Sequence, residues 1–133
     1  PVMKEQRSGN IVSISSVAGR SGKANMTHYC STKFGVIGFS QSLALELAPF
    51  DVRVNSVCPG IVRTQMWEVE LGEISEAKGI SIEEAWEMVL SGIPLHRSQL
   101  PEDIGAAVAF LASPLAKNIT GQALNVDGGF ELS

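Results

Sequence analysis

Three short runs of β-branched and small residues place the strongest constraint on the fold of this 133-residue chain. The first run, residues 11–15, has no polar face, and two similar runs follow at residues 52–57 and 123–126. A strand that is covered on both sides in a parallel sheet has this composition. The sequence therefore predicts three strands, each separated from the next by helical sequence.

Helical patterns fill the intervals between these runs. Residues 28–48 contain no proline and stop at Pro49, which predicts one long helix. Ser81 and Glu84 match a capping box, and Pro101 precedes two acidic residues, so each marks the start of a further helix. The alternation of strands and helices is the βαβ pattern of an α/β fold.

The first residues predict the end of another helix. Residues 1–7 have the composition of its last turns, and residues 8–10 (Ser-Gly-Asn) are expected to stop it. The first strand would then begin directly after this turn.

Composition argues against several classes of partner. With a net charge of −4, 44% hydrophobic and 18% charged residues, the chain suits a packed core and lacks the basic field that nucleic acid or an anionic membrane surface requires. Its apolar runs are broken well short of the roughly 20 residues of a membrane-spanning helix. We therefore expect neither nucleic acid nor a membrane as a partner.

The cysteines and acidic residues do not suggest a metal site. Cys30 and Cys58 lack CxxC spacing and a histidine cluster, which indicates free thiols in a reducing, cytoplasmic compartment. The acidic residues between positions 68 and 87 form no ligand set of fixed geometry. We therefore expect no metal.

Three polar residues suggest an acid–base site. Tyr29 and Lys33 are spaced so that they lie one above the other on the first turn of the long helix. Ser16 follows the first strand, at the edge where open α/β sheets bind ligands. A phenol titrates near ~10 in water, so it is a poor base until a nearby cation stabilises the phenolate. The simpler interpretation of the Tyr/Lys spacing is two residues that share a helix face.

A set of short motifs then runs along nearly the whole chain. They occupy residues 9–12, 15–19, 29–33, 38–39, 55–60, 64, 101–103, 110–113, 119–121 and 127–129. In content and order they resemble the short-chain dehydrogenase/reductases, NAD(P)-dependent oxidoreductases on a Rossmann fold. The resemblance implies part of a doubly wound parallel sheet, with about three strands and flanking helices.

The resemblance also implies roles for individual residues. Tyr29 would be the acid/base, Lys33 would stabilise its phenolate and bind the nicotinamide ribose, and Ser16 would orient the substrate oxygen. The remaining contacts to NAD or NADP would come from Pro59, Gly60, Ile61 and Thr64. The implied substrate contacts are Ser16, Val17, Ala18 and Trp67.

Residues 58–64, with Met66 and Trp67, are most similar to the polyol, acetoin and 2,3-butanediol dehydrogenase branch. Butanediol enzymes tend to carry amide side chains where this chain has Val17 and Lys23. The expected reaction is hydride exchange between nicotinamide and a secondary alcohol or ketone, such as a polyol or sugar derivative.

Members of this family begin with a strand, a Gly-rich turn and a helix that bind the pyrophosphate. No Gly-x-Gly-x-x-Gly occurs in this chain. We therefore expect residues 1–133 to be the C-terminal half of such an enzyme, a partial Rossmann domain that is inactive alone. The alternative is a noncatalytic oligomerisation or folding fragment.

Two further regions are candidates for function. Residues 66–94 are charged and contain Gly72, Gly79 and Gly92, which predicts a mobile substrate lid. Within it, Trp67 fits a pocket wall and a core position equally well. On the long helix, Gly35, Gly38 and Ser42 share a face suited to a homodimer or homotetramer.

The two histidines, His28 and His96, are weaker candidates for substrate contacts. A lone histidine lies more often on the surface or in the core than in a binding site. Their separation in the sequence also gives no metal-ligand spacing.

Overall fold

The fold is seen in a computed structural model, which describes residues 1–132. Three parallel strands, β1 (Gly9–Ile14), β2 (Val52–Pro59) and β3 (Ala123–Val126), form a sheet in the order β1-β2-β3. The register pairs Gly9 with Val52, and Ser56 with Ala123. The three strands expected from the sequence are confirmed.

Helices flank this sheet. In the described part of the chain they are α1 (Val2–Gln6), α2 (Thr27–Leu47), α3 (Gln65–Lys78), α4 (Ile82–Ser91) and α5 (Pro101–Ala112). The long helix, the capping box at Ser81 and the start at Pro101 agree with the sequence analysis. Gly79, with a φ of 65°, ends α3 and separates it from α4, so the predicted lid, residues 66–94, contains two helices.

The expected stop of the first helix was placed too late. Arg7 takes a left-handed conformation with a φ of 50° and already ends α1. Gly9 and Asn10 consequently belong to β1, where they pair with Val52 and Arg53. Strand pairing, which the local sequence does not reveal, overrides the turn character of these residues.

β2 is covered on both faces because successive side chains of a strand point to opposite sides. Val54 packs against Ala44 and Leu47 of α2, whereas Val57 packs in a cluster with Leu111 of α5. Neither valine has any exposed surface. Helices on both faces of a parallel sheet make this a doubly wound α/β arrangement.

Polar residues of β2 anchor the segments around it. Arg53 donates a 2.7 Å hydrogen bond to the carbonyl of Leu111, one of the last carbonyls of α5, which lack intrahelical partners. The buried Asn55 donates to the carbonyl of Ile119 at 2.9 Å and accepts from the backbone N–H of Gln122 at 3.0 Å. These bonds fix the chain that leads into β3.

Candidate catalytic cleft

A cleft of about 450 Å³ opens where β1 and β2 end. It is lined by the segments that follow all three strands, together with the beginnings of α2 and α3. Most of the site residues expected from the sequence lie in its wall: Ser16, Val17, Ala18, Tyr29, Gly60, Ile61 and Trp67. Lys33, Pro59 and Thr64 lie outside the wall.

Ser16 is placed by the end of β1. Its backbone is extended, and its Oγ accepts a 3.1 Å hydrogen bond from the N–H of Ala18, which caps the 3-10 turn Val17–Gly19. Because Oγ acts as the acceptor in this bond, the hydroxyl proton stays available for donation. The buried Ser16 hydroxyl is therefore oriented before any ligand binds.

The neighbouring residues hold α2 against the end of β1. The Ser15 hydroxyl donates a 2.8 Å hydrogen bond to the carbonyl of Lys33. Gly19 lies so close to the same helix that an added Cβ would be 2.7 Å from the carbonyl oxygen of Lys33. A larger residue at position 19 would therefore push α2 away from the cleft.

Tyr29 and Lys33 lie together on α2. The Lys33 Nζ is 5.6 Å from the centroid of the Tyr29 ring and donates a 3.2 Å hydrogen bond to the carbonyl of Ile14. This bond holds the ammonium group at the end of β1, beside the phenol.

The segment after β2 requires glycine at position 60. A Cβ there would lie 2.6 Å from Gln99 Oε1 and 2.7 Å from Asp127 Cβ. The Asp127 carboxylate in turn accepts hydrogen bonds from the N–H groups of Gly129 at 2.9 Å and Glu131 at 2.8 Å. The segments that follow β2 and β3 are thus packed directly against each other.

Trp67 forms part of the cleft wall, which favours the pocket interpretation over the core one. Its ring meets Trp86 of α4 edge to face, with centroids 6.0 Å apart. The Arg63 guanidinium lies 5.0 Å from the Trp86 ring, and its Nε donates a 2.8 Å hydrogen bond to Glu68. This bond from Arg63 lowers the pKa of Glu68. Arg63 therefore links the segment after β2 to the lid helix.

Four other residues of the wall were not among the predicted site residues: Lys23, Met26, Glu70 and Phe130. Phe130 directly follows the Asp-Gly-Gly motif, so that motif could have located it. The wall also contains Met66 and His28. His96, by contrast, lies outside the wall and pairs with Glu87 at 2.6 Å.

Lys23 and Glu131 join two sides of the cleft. Lys23 forms an ion pair with Glu131, and the Ser21 hydroxyl donates to the same carboxylate. The hydrogen bonds from Lys23 and Ser21 lower the pKa of Glu131. The Lys23 Nζ also lies 4.9 Å from the centroid of the Phe130 ring.

The cysteines are both free and buried, as expected. Burial raises the pKa of the Cys58 thiol, so this thiol is a poor nucleophile at neutral pH. Within residues 1–132, no group of three or more His, Cys, Asp or Glu side chains could hold a metal ion. Over the same residues, no helix combines the length and the apolar character needed to cross a membrane.

The family model described as enoyl-(acyl carrier protein) reductase matches residues 1–131. The chain belongs to the short-chain dehydrogenase/reductase family. Both the fold and the motifs that suggested this family are therefore confirmed. Among curated relatives, the 3-oxoacyl-[acyl-carrier-protein] reductase of Haemophilus influenzae is 44% identical over 131 residues, which are 98% of this chain and 50% of that protein.

Two solved short-chain dehydrogenase/reductase structures share the fold. Sorbitol-6-phosphate 2-dehydrogenase from Erwinia amylovora matches with a TM-score of 0.91 and 33% identity, over 98% of this chain and 52% of that one. A variant of the actinorhodin polyketide ketoreductase, solved with NADPH, matches with a TM-score of 0.88 and 39% identity, over 96% of this chain and 49% of that one. The chain thus spans about half the length of these relatives. They include both ketoacyl and polyol-phosphate enzymes, so assignment to the polyol branch stays a prediction.

Proposed function

We propose that this protein is an NAD(P)-dependent oxidoreductase that interconverts a secondary alcohol and a ketone. The observation that carries the proposal is the Lys33 ammonium group beside the Tyr29 ring, which itself lines a cleft whose wall also contains Ser16. The reductases among the relatives support it. The free, buried thiols support the predicted cytoplasmic location.

The donors around the cleft fit a nicotinamide cofactor, either NAD or NADP. An ammonium group has three donors, and Lys33 uses one of them on Ile14, so the others are free to bind ribose hydroxyls. Thr64 is the N-cap of α3, yet its side chain makes no capping bond and is available to a carboxamide. Pro59, Gly60 and Ile61 would contact the nicotinamide. When bound, this group supplies or accepts the hydride.

The protein side chains move and hold the proton. During reduction, the Ser16 hydroxyl donates a hydrogen bond to the ketone oxygen, and Tyr29 gives its phenolic proton to the same oxygen. Lys33 stabilises the phenolate that this transfer leaves behind. In the direction of oxidation, the phenolate takes the proton back from the alcohol. Val17, Ala18 and Trp67 would position the rest of the substrate.

The branch resemblance implies a polyol or sugar derivative as one candidate substrate, and the lining of the cleft favours a competing, apolar one. A sorbitol-6-phosphate 2-dehydrogenase among the structural neighbours supports the polyol candidate.

We also propose that the 133 residues are inactive alone, since the matched relatives are about twice as long. On this view residues 1–133 form one partial Rossmann domain. Turnover by the isolated chain at the full-length rate would contradict this.

We further propose that residues 66–94 act as a substrate lid. Trp67 and Glu70 of this segment line the cleft, and most of its side chains are exposed or half-buried. Substrate should therefore order it. Hydrogen exchange on the full-length protein tests this, since protection of residues 66–94 should rise when substrate and cofactor bind. Equal protection with and without these ligands would contradict the role of this segment as a lid.

We propose a homodimer or homotetramer that pairs through α2. Gly35, Gly38 and Ser42 are exposed, and Phe39 on the same side has 61% of its surface exposed. An added Cβ at Gly35 or Gly38 would meet nothing within 4 Å. A second helix could therefore approach closely about a two-fold axis. Light scattering that finds a monomer of the full-length protein would contradict this.

The proposed activity is tested by changing Tyr29→Phe in the full-length protein and following reduced nicotinamide by its absorbance. Loss of the phenolic proton should lower turnover about 100-fold or more, while dinucleotide affinity changes little. Near-normal turnover in this variant would remove Tyr29 from its role.

A further inference from the structure

We propose that the cleft selects an alkyl or aryl ketone, or the matching secondary alcohol, over a polyol or a phosphorylated sugar. This inference rests on the proposed function, since the reacting oxygen must lie against Ser16 and Tyr29. Beyond those two groups the wall is largely apolar, with contributions from Val17, Met26, Met66, Trp67 and Phe130. Such a surface binds a substrate mainly by removing apolar area from water.

Phe130 is held as a fixed part of this wall. It lies between Gly129 and Glu131, whose N–H groups both donate to the buried Asp127 carboxylate. From the other side, Lys23 packs its ammonium group over the ring and pairs with Glu131. The aromatic surface is therefore positioned before a substrate arrives.

The charges of the wall disfavour an anionic substrate. Among its residues in the described chain, Lys23 and Glu70 carry full charges, and His28 lies at the exposed mouth. The Lys23 charge is already balanced by Glu131. A phosphate would have to break this pair or lie near the Glu70 carboxylate, and both alternatives weaken binding.

Additional hydroxyl groups on the substrate would also be poorly matched to the apolar part of the cleft wall. Next to Met66 and Phe130, a substrate hydroxyl loses water and finds no strong hydrogen-bond partner, since a thioether is only a weak acceptor and a phenyl ring has no donor. Each such hydroxyl should lower kcat/KM by about tenfold or more. A methylene in the same place should instead raise it.

The test uses the full-length protein with NADH and NADPH and the 2-ketones from 2-butanone to 2-octanone, beside fructose and fructose 6-phosphate. We expect kcat/KM to rise about threefold for each added methylene until the cleft is filled, and the sugars to react at least about 100-fold more slowly than 2-octanone. A flat series, or a preference for either sugar, would overturn the inference and leave the proposed function standing. If no ketone or alcohol reacts, the proposed function fails and the inference fails with it.

Substitution of Phe130 tests whether its ring produces the preference for longer ketones. Phe130→Ala should lower kcat/KM for 2-octanone about tenfold and that for 2-butanone less than about threefold, because only the longer chain reaches the ring. Phe130→Leu should keep most of the preference and controls for misfolding. Phe110→Ala on α5 removes a partly exposed phenylalanine outside the cleft wall and should change neither value. Equal losses for both ketones in Phe130→Ala would contradict the role of the ring.

Binding without turnover gives an independent measurement. The tertiary alcohol 2-methyl-2-octanol carries no hydrogen on its carbinol carbon and therefore cannot be oxidised to a ketone. Calorimetry should show that it binds about tenfold more tightly to the unmodified protein than to Phe130→Ala. Equal affinity for the two proteins would contradict the inference.

Discussion

β2 and the lid segment, residues 66–94, differ in how their side chains are held. Six of the eight β2 positions are buried, and its polar side chains bond to neighbouring segments. By contrast, α3 buries only Leu71 and α4 buries only Ala85. A region with few buried contacts opens at lower free energy than a core strand. The sheet therefore holds the proposed catalytic groups more firmly than the segment that lines the other side of the cleft.

The same contrast appears within the cleft. Lys33 donates a hydrogen bond to the last residue of β1, and Ser16 accepts one from the turn that follows β1. β1 itself pairs with β2. Trp67, on the lid side, is held by another lid residue, Trp86. Changes on the sheet side should therefore affect kcat or stability, whereas changes in the lid should affect KM.

The largest effect is expected on the sheet side, at Lys33, the proposed catalytic cation. Lys33→Ala should lower turnover of the full-length protein about 100-fold or more and weaken dinucleotide binding, because it removes both the charge beside Tyr29 and the proposed ribose contact. The exposed Lys117 provides the control, and Lys117→Ala should change neither property. A pH–rate profile of Lys33→Ala identical to that of the unmodified protein would break the link between Lys33 and Tyr29.

The next largest effect should be on folding. Asn55→Ala leaves the N–H of Gln122 without its partner and leaves the carbonyl of Ile119 only a longer 3.4 Å bond from Arg53, which should lower the free energy of unfolding by about 2 kcal/mol. The exposed Asn118 serves as the matched amide, and Asn118→Ala should cost less than about 0.5 kcal/mol. Urea unfolding of the full-length variants measures both values. Equal values would show that β2 is not the firmly held region.

A lid variant should affect the substrate more than the chemistry. Trp86→Ala removes the ring that supports Trp67 and should raise KM about tenfold, with kcat within about threefold of the starting value. The half-exposed Met88 on the same helix is the control, since Met88→Ala leaves the Trp67 contact intact. A loss confined to kcat would place Trp86 on the catalytic side of the comparison.

The smallest effect should come from the ion pair at the rim of the cleft. Because Lys23 and Ser21 lower the pKa of Glu131, this carboxylate stabilises the fold above its unfolded pKa of about 4.3, and the contribution is lost as the pH falls through the folded pKa. Glu131→Gln should therefore be less stable at pH 7, by under about 1 kcal/mol since the pair is partly exposed, and the difference should shrink toward pH 3. A difference that grows on acidification would contradict the assignment.

A structural feature can be predicted from this sequence when the residues that form it lie close together along the chain. The long helix, the capping box at Ser81 and the Tyr29/Lys33 pair follow from residues within a few positions of one another, and the structure has all three. The Lys23–Glu131 pair joins residues 108 positions apart, and no local sequence pattern predicts it. The same is true of the close approach at Gly60, which depends on Asp127. The proposed site residues Ser16, Tyr29 and Lys33 were therefore accessible from sequence, whereas long-range contacts such as the Lys23–Glu131 pair were not.

A crystal structure of the full-length protein with an oxidised dinucleotide and a bound ketone would test the central claim most directly. We expect the ketone oxygen to lie within about 3.2 Å of both Ser16 Oγ and Tyr29 Oη, with Lys33 Nζ bonded to the ribose. The body of the ketone should lie against Trp67 and Phe130. A ketone bound with its oxygen away from Ser16 and Tyr29, or a dinucleotide that does not reach Lys33, would contradict the assignment of the cleft as the catalytic site.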